Sequence, residues 1–80
     1  MRVVKEFSRP DCKITIYSWN NRYIVKLEQG TIEQTFKIDA LDIENDEAVL
    51  KVLDAEFLQQ ALIRFQDMGQ SLYEAIERTR

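Results

Sequence analysis

The run Lys13-Ile14-Thr15-Ile16-Tyr17-Ser18-Trp19-Asn20-Asn21-Arg22-Tyr23-Ile24-Val25-Lys26-Leu27-Glu28 decides the fold. On both sides of Asn20-Asn21 the apolar residues recur with period two, the signature of a half-buried strand. Asparagine tolerates the left-handed backbone that a type I′ turn demands at both of its central positions. A two-residue Asn-Asn loop therefore predicts a hairpin and fixes its register. Ile16 then faces Val25, Ile14 faces Leu27, and Lys13 faces Glu28. Apolar partners meet on one side of the ribbon and opposite charges on the other.

Working outward, a second turn is expected at Glu28-Gln29-Gly30-Thr31, with Gly30 supplying positive φ. Taking Gln29-Gly30 as the loop sets Leu27 opposite Ile32, Lys26 opposite Glu33 and Tyr23 opposite Phe36. A loop of odd length would turn Ile32, Phe36 and Ile38 to the other face. Upstream, Arg2-Val3-Val4-Lys5-Glu6-Phe7 reads as a first strand, joined to the next through the turn signal Ser8-Arg9-Pro10-Asp11. The expectation is a four-stranded antiparallel meander over about residues 2–38 with one apolar face.

After Asp39 the period changes. The acidic stretch from Asp42 to Glu47 suits a helix N-terminus through the macrodipole. Asn45 or Asp46 is placed to cap a short helix over about residues 46–53, and Asp54 to cap a longer one over about 55–78. Leu58, Ala61, Leu62, Phe65, Met68, Leu72, Ala75 and Ile76 recur three or four apart, as one helix face demands. Gly69 could end one helix, with Ser71 and Glu74 as a capping box for another, but the stripe passes Gly69 without a phase shift and favours one continuous helix; glycine there costs only about 1 kcal/mol against alanine. The fold class expected is α+β, with the sheet covered on one face by the long C-terminal helix. Ile14, Ile16, Val25, Leu27, Phe36, Ile38, Leu58, Leu62, Phe65 and Leu72 should form its core. Such a helix is about 36 Å long at 1.5 Å per residue, against about 23 Å for a seven-residue strand. The end carrying Leu72, Tyr73 and Ile76 therefore overhangs, and a second copy of the chain is the simplest cover for it.

Eighty residues predict one domain, 1–80, with a small core that self-association would help to stabilise. A hydrophobic share of 45% with 31% charged residues is that of a globular chain, not a disordered one. There is no histidine and one cysteine, Cys12, so neither an internal disulfide nor a conventional zinc site is expected. Cys12 falls on the apolar face by parity and reads as a buried, inert thiol. Ser8, Ser18 and Ser71 have no triad context, and no catalytic or cofactor-binding motif is present. The acidic cluster Asp39, Asp42, Glu44, Asp46 and Glu47 fails the calcium-loop pattern, since Glu47 stands where glycine belongs and Leu53 where the bidentate glutamate belongs. No signal peptide and no membrane span is expected, which together with the lone thiol points to the cytoplasm.

By the same parity the open face of the sheet carries Lys13, Thr15, Tyr17, Trp19, Arg22, Ile24, Lys26, Glu28, Glu33, Thr35 and Lys37. It is expected to be either solvated, with Trp19 on Arg22 and Lys26 on Glu33, or covered by a protein partner. The principal expectation is a non-enzymatic protein-interaction module, homodimeric, with Leu72, Tyr73 and Ile76 as the dimer contact. The first alternative is single-stranded nucleic-acid binding by Tyr17, Trp19, Arg22, Lys26 and Lys37, where rings stack on bases and cations follow phosphates. The net charge of −3 weighs against it. The element order β-β-β-β-α resembles that of the Pur and Whirly single-strand binders, a resemblance of topology that implies dimers using their sheets. A small enzyme with its site at a dimer interface is the remaining alternative.

Overall fold

The computed structural model describes every residue from Met1 to Arg80. Four strands, β1 (Arg2–Ser8), β2 (Lys13–Trp19), β3 (Arg22–Gln29) and β4 (Ile32–Asp39), precede α1 (Asp46–Val52) and α2 (Ala55–Glu77). The strands form one antiparallel sheet in the order β1-β2-β3-β4, so the fold is α+β. No helix is long and apolar enough to cross a membrane.

The first hairpin forms as its turn chemistry dictates. Asn20 and Asn21 have φ of 53° and 60°, and Ile16 pairs with Val25, Ile14 with Leu27 and Lys13 with Glu28. The second hairpin differs from expectation by two residues. Its loop is Gly30-Thr31, so Leu27 pairs with Gln34, Val25 with Phe36 and Tyr23 with Ile38. Gly30 has φ 61° while Thr31 keeps negative φ, the pattern of a type II′ turn with glycine at its first central position. A shift of two preserves side-chain parity, so Ile32, Phe36 and Ile38 still face the helices. It also moves Glu33 from Lys26 to Glu28, replacing an expected ion pair by a like-charge one. At the first strand, a bulge between Val3 and Lys5 places Val3 opposite Tyr17 and Lys5 opposite Ile16.

Both helices are capped by the side chains the sequence offers. The Asn45 side chain accepts from the Ala48 N–H at 2.9 Å, and Asp54 accepts from the Phe57 N–H at 2.8 Å. Caps of this kind stabilise by about 1 kcal/mol each. The covered face of the sheet supplies Ile14, Ile16, Tyr23, Val25 and Leu27 to the core, and the helices add Val49, Leu58, Ala61 and Phe65. Cys12 is buried with them. A polar staple crosses from β4 to α2. Buried Gln34 donates from Nε2 to the Ala61 carbonyl at 2.8 Å and accepts from Arg64 Nε at 3.1 Å. The Arg64 guanidinium lies 6.0 Å from the centre of the Phe36 ring, which meets Phe57 edge-on at 5.3 Å.

Leu72 is the one expected core residue that the structure places largely at the surface, at 45% exposure. The cause is length. Helix α2 has 23 residues, about 35 Å, and runs past the β3–β4 turn beside Ile32 and Gly69. The radius of gyration is 14.5 Å and the long dimension 48 Å, where a compact 80-residue body would have a radius near 12 Å.

The helix is continuous through Gly69, whose added Cβ would meet only the Ile32 Cδ1 methyl at an ordinary 3.7 Å. Gly69→Ala should therefore stabilise the fold by roughly 0.5–1 kcal/mol, read as a higher urea midpoint at unchanged slope. A lower midpoint would mean that α2 needs the flexibility of glycine there.

Candidate interaction surfaces

Pairing orders the open face of the sheet into four rungs. They are Ser8–Lys13–Glu28–Glu33, Glu6–Thr15–Lys26–Thr35, Val3–Tyr17–Ile24–Lys37 and Trp19–Arg22–Asp39. Tyr17, Trp19, Arg22, Lys26 and Lys37 therefore share one surface on three adjoining rungs. Trp19 is 53% exposed. The cations Lys13, Arg22, Lys26 and Lys37 are matched on the same face by Glu6, Glu28, Glu33 and Asp39, so it has no net charge. That balance gives the face no net electrostatic pull on a phosphate backbone, a major source of affinity in single-strand binding. Neither internal pairing expected of a solvated face forms. Lys26 stands opposite Thr35, and the one cation–π contact is that of Arg64 with Phe36. Thr15 is buried on this face between the longer Glu6 and Lys26.

The second surface is apolar. Leu72, Tyr73 and Ile76 on the overhanging end of α2 are 45%, 63% and 43% exposed, and they adjoin Ile32 and the Gly30-Thr31 turn. The shallow groove they line is open along its length and holds no titratable cluster. Leu41, in the loop between β4 and α1, projects fully into solvent at 93% exposure.

The perturbed ionisable groups gather elsewhere, where β1, β3 and α1 meet. Arg2 donates to Asp46 through both terminal nitrogens, at 3.0 and 3.3 Å, and the Tyr23 hydroxyl donates to Asp46 Oδ1 at 2.6 Å. The Arg2 hydrogen bonds, then that of Tyr23, hold the Asp46 carboxyl below its ordinary range. The same carboxylate raises the Tyr23 phenol through their hydrogen bond, with burial adding to it, and raises Arg2. With Asp46 bonded to both Arg2 and Tyr23, the cluster clamps α1 to β1 and β3. The Cys12 thiol is pushed up by burial first and by the charge of Asp11 second. No three carboxylates or thiols converge as a metal site requires. Nothing in the sequence marked the clamp, because its members are 21 and 23 positions apart and join only when α1 docks on the sheet.

The clamp makes stability depend on pH with a definite sign. A carboxyl whose folded pKa is lowered contributes stability that is complete above the ordinary aspartate range and is lost as pH falls through the folded value. A phenol whose folded pKa is raised contributes stability present below the ordinary tyrosine range and lost as pH rises. Tyr23→Phe should therefore lower the urea midpoint at neutral pH, and the gap to the parent should narrow on acidification as Asp46 gains its proton. A gap independent of pH would show that the hydroxyl acts by packing alone. Comparison of the chain with protein-family models, with curated proteins and with solved structures finds no match.

Proposed function

We propose that the chain is a single-domain, non-enzymatic protein-interaction module that acts in the cytoplasm as a homodimer, with Leu72, Tyr73 and Ile76 as its first contact. The observation that carries this reading is the overhanging end of α2, where three large side chains stand in solvent beside the apolar Ile32. Exposed apolar side chains that adjoin one another favour association, since burying such area gains about 25 cal/mol per Å². The small core supports the same reading: only 12 of 80 residues are buried, and a chain of this size gains stability from a second subunit. Sedimentation should give twice the 9.5 kDa chain mass. Leu72→Glu and Ile76→Glu, both at partly exposed positions, should leave the circular dichroism unchanged and weaken association by at least about tenfold. A parent chain that sediments as a monomer at high micromolar concentration would refute the reading.

A second reading is favoured by one observation, the exposure of Trp19 beside Tyr17, Arg22, Lys26 and Lys37 on an otherwise charge-balanced face. It is tested through Trp19, the only tryptophan, by fluorescence titration with a mixed-sequence single-stranded oligonucleotide. The interaction module gives no saturable quenching at micromolar oligonucleotide. Saturable quenching that weakens as salt rises would move the assignment to single-stranded nucleic-acid binding.

A further inference from the structure

Each backbone group of β4 has a fixed direction. Gln29 and Ile32 close a two-residue turn and so form a hydrogen-bonded pair, which turns the N–H and C=O groups of Ile32, Gln34, Phe36 and Ile38 toward β3. The bond from the Ala40 N–H to the Asn21 carbonyl, 3.0 Å, continues that alternation. The polar backbone groups of Glu33, Thr35 and Lys37 consequently face out of the sheet, and no hydrogen bond of the chain reaches them. Exposed rows of this kind template the addition of another strand. The opposite edge is different, because the bulge between Val3 and Lys5 interrupts β1. Along β4 there is neither bulge nor proline.

We infer that β4 pairs antiparallel with β4 of a second copy about a two-fold axis at Thr35, joining the two four-stranded sheets into one. The inference rests on the homodimer reading and gives it a register. Backbone direction restricts the axis to a residue position within β4, and charge selects among those positions. With the axis at Gln34, Glu33 meets Thr35 of the second copy. With the axis at Phe36, Glu33 meets Asp39. Only the axis at Thr35 sets Glu33 against Lys37 of the second copy, twice over by symmetry, with Ile32 against Ile38 on the helix side. Neither charge forms an ion pair within the chain, and the Glu33 carboxylate accepts a hydrogen bond from the exposed Thr35 hydroxyl at 3.1 Å, which leaves its second oxygen for a cation. Glu33 also lies opposite Glu28, a repulsion that a cation on its other flank offsets. In this register the end of α2 comes level with the second copy's β4–α1 loop, where Leu41 stands in solvent. The edge and the apolar tail thus belong to one isologous interface.

A charge swap tests the register. Glu33→Lys and Lys37→Glu each place like charges opposite one another at both symmetric positions. Each alone should weaken the dimer at least about tenfold in sedimentation, with circular dichroism unchanged. An equimolar mixture of the two variants pairs lysine with glutamate at both positions and should return to dimer mass. The double variant, carrying both changes on one chain, should do the same and serves if either single variant folds poorly. A parent dimer whose single variants associate unchanged, or whose mixture and double variant fail to recover, overturns the β4 pairing while leaving the homodimer standing. A monomeric parent overturns both.

Discussion

Two consecutive asparagines held at positive φ govern the rest of the molecule. With Asn20 and Asn21 at 53° and 60°, β2 and β3 can pair in one register alone, and that register chooses which side chains share a face. Side chains alternate across a strand, so a slip of one residue would send Ile14, Ile16, Val25 and Leu27 into solvent together. Every later element inherits the choice. Strand β4 presents Ile32, Phe36 and Ile38 to the same side, and α2 lies where those residues are. The open face and its charges are the complement of the same decision.

Polar contacts then hold layers whose apolar overlap is modest. Gln34 ties β4 to the Ala61 carbonyl of α2, and Asp46 ties α1 to both β1 and β3 through Arg2 and Tyr23. These contacts work because every buried side-chain nitrogen and oxygen has a partner; an unmatched one would cost more than the bond contributes. They also fix the helices along the strand direction. Since α2 is anchored near Gln34 and is longer than the sheet, its surplus length emerges at one end, past the β3–β4 turn. The exposed apolar tail is thus a geometric remainder of where the helix is pinned.

The elements that local chemistry controls were legible in the sequence. The Asn-Asn hairpin, a cap at Asn45 or Asp46, the cap at Asp54, the two helices and the run of α2 through Gly69 all follow from residues close to one another in the chain. The second hairpin was legible in parity and not in register. One glycine satisfies a turn from either central position, and the two choices differ by two residues, which alternation cannot distinguish. The bulge in β1 has no local marker, since Val3-Val4-Lys5 reads as plain strand. The surface that joins Tyr17, Trp19, Arg22, Lys26 and Lys37 follows from parity. Its neutrality does not follow from the cations alone; it appears once Glu6 and Asp39 are brought onto the same rungs. Backbone direction along β4 became readable only after the true loop was known, because it depends on which residues close the turn.

The bulge in β1 has a consequence for how far this chain can assemble. A sheet with two regular edges is a monomer unit for a filament, since each addition exposes a fresh edge like the one just covered. Here one edge is regular and the other is kinked at Val3 and Lys5. In the β4 pairing proposed above, growth would use up the only regular edge on each copy, so that assembly would end at two. Under that pairing the extra residue in β1 would act as a chain terminator for polymerisation, limiting stoichiometry from the far edge of the sheet.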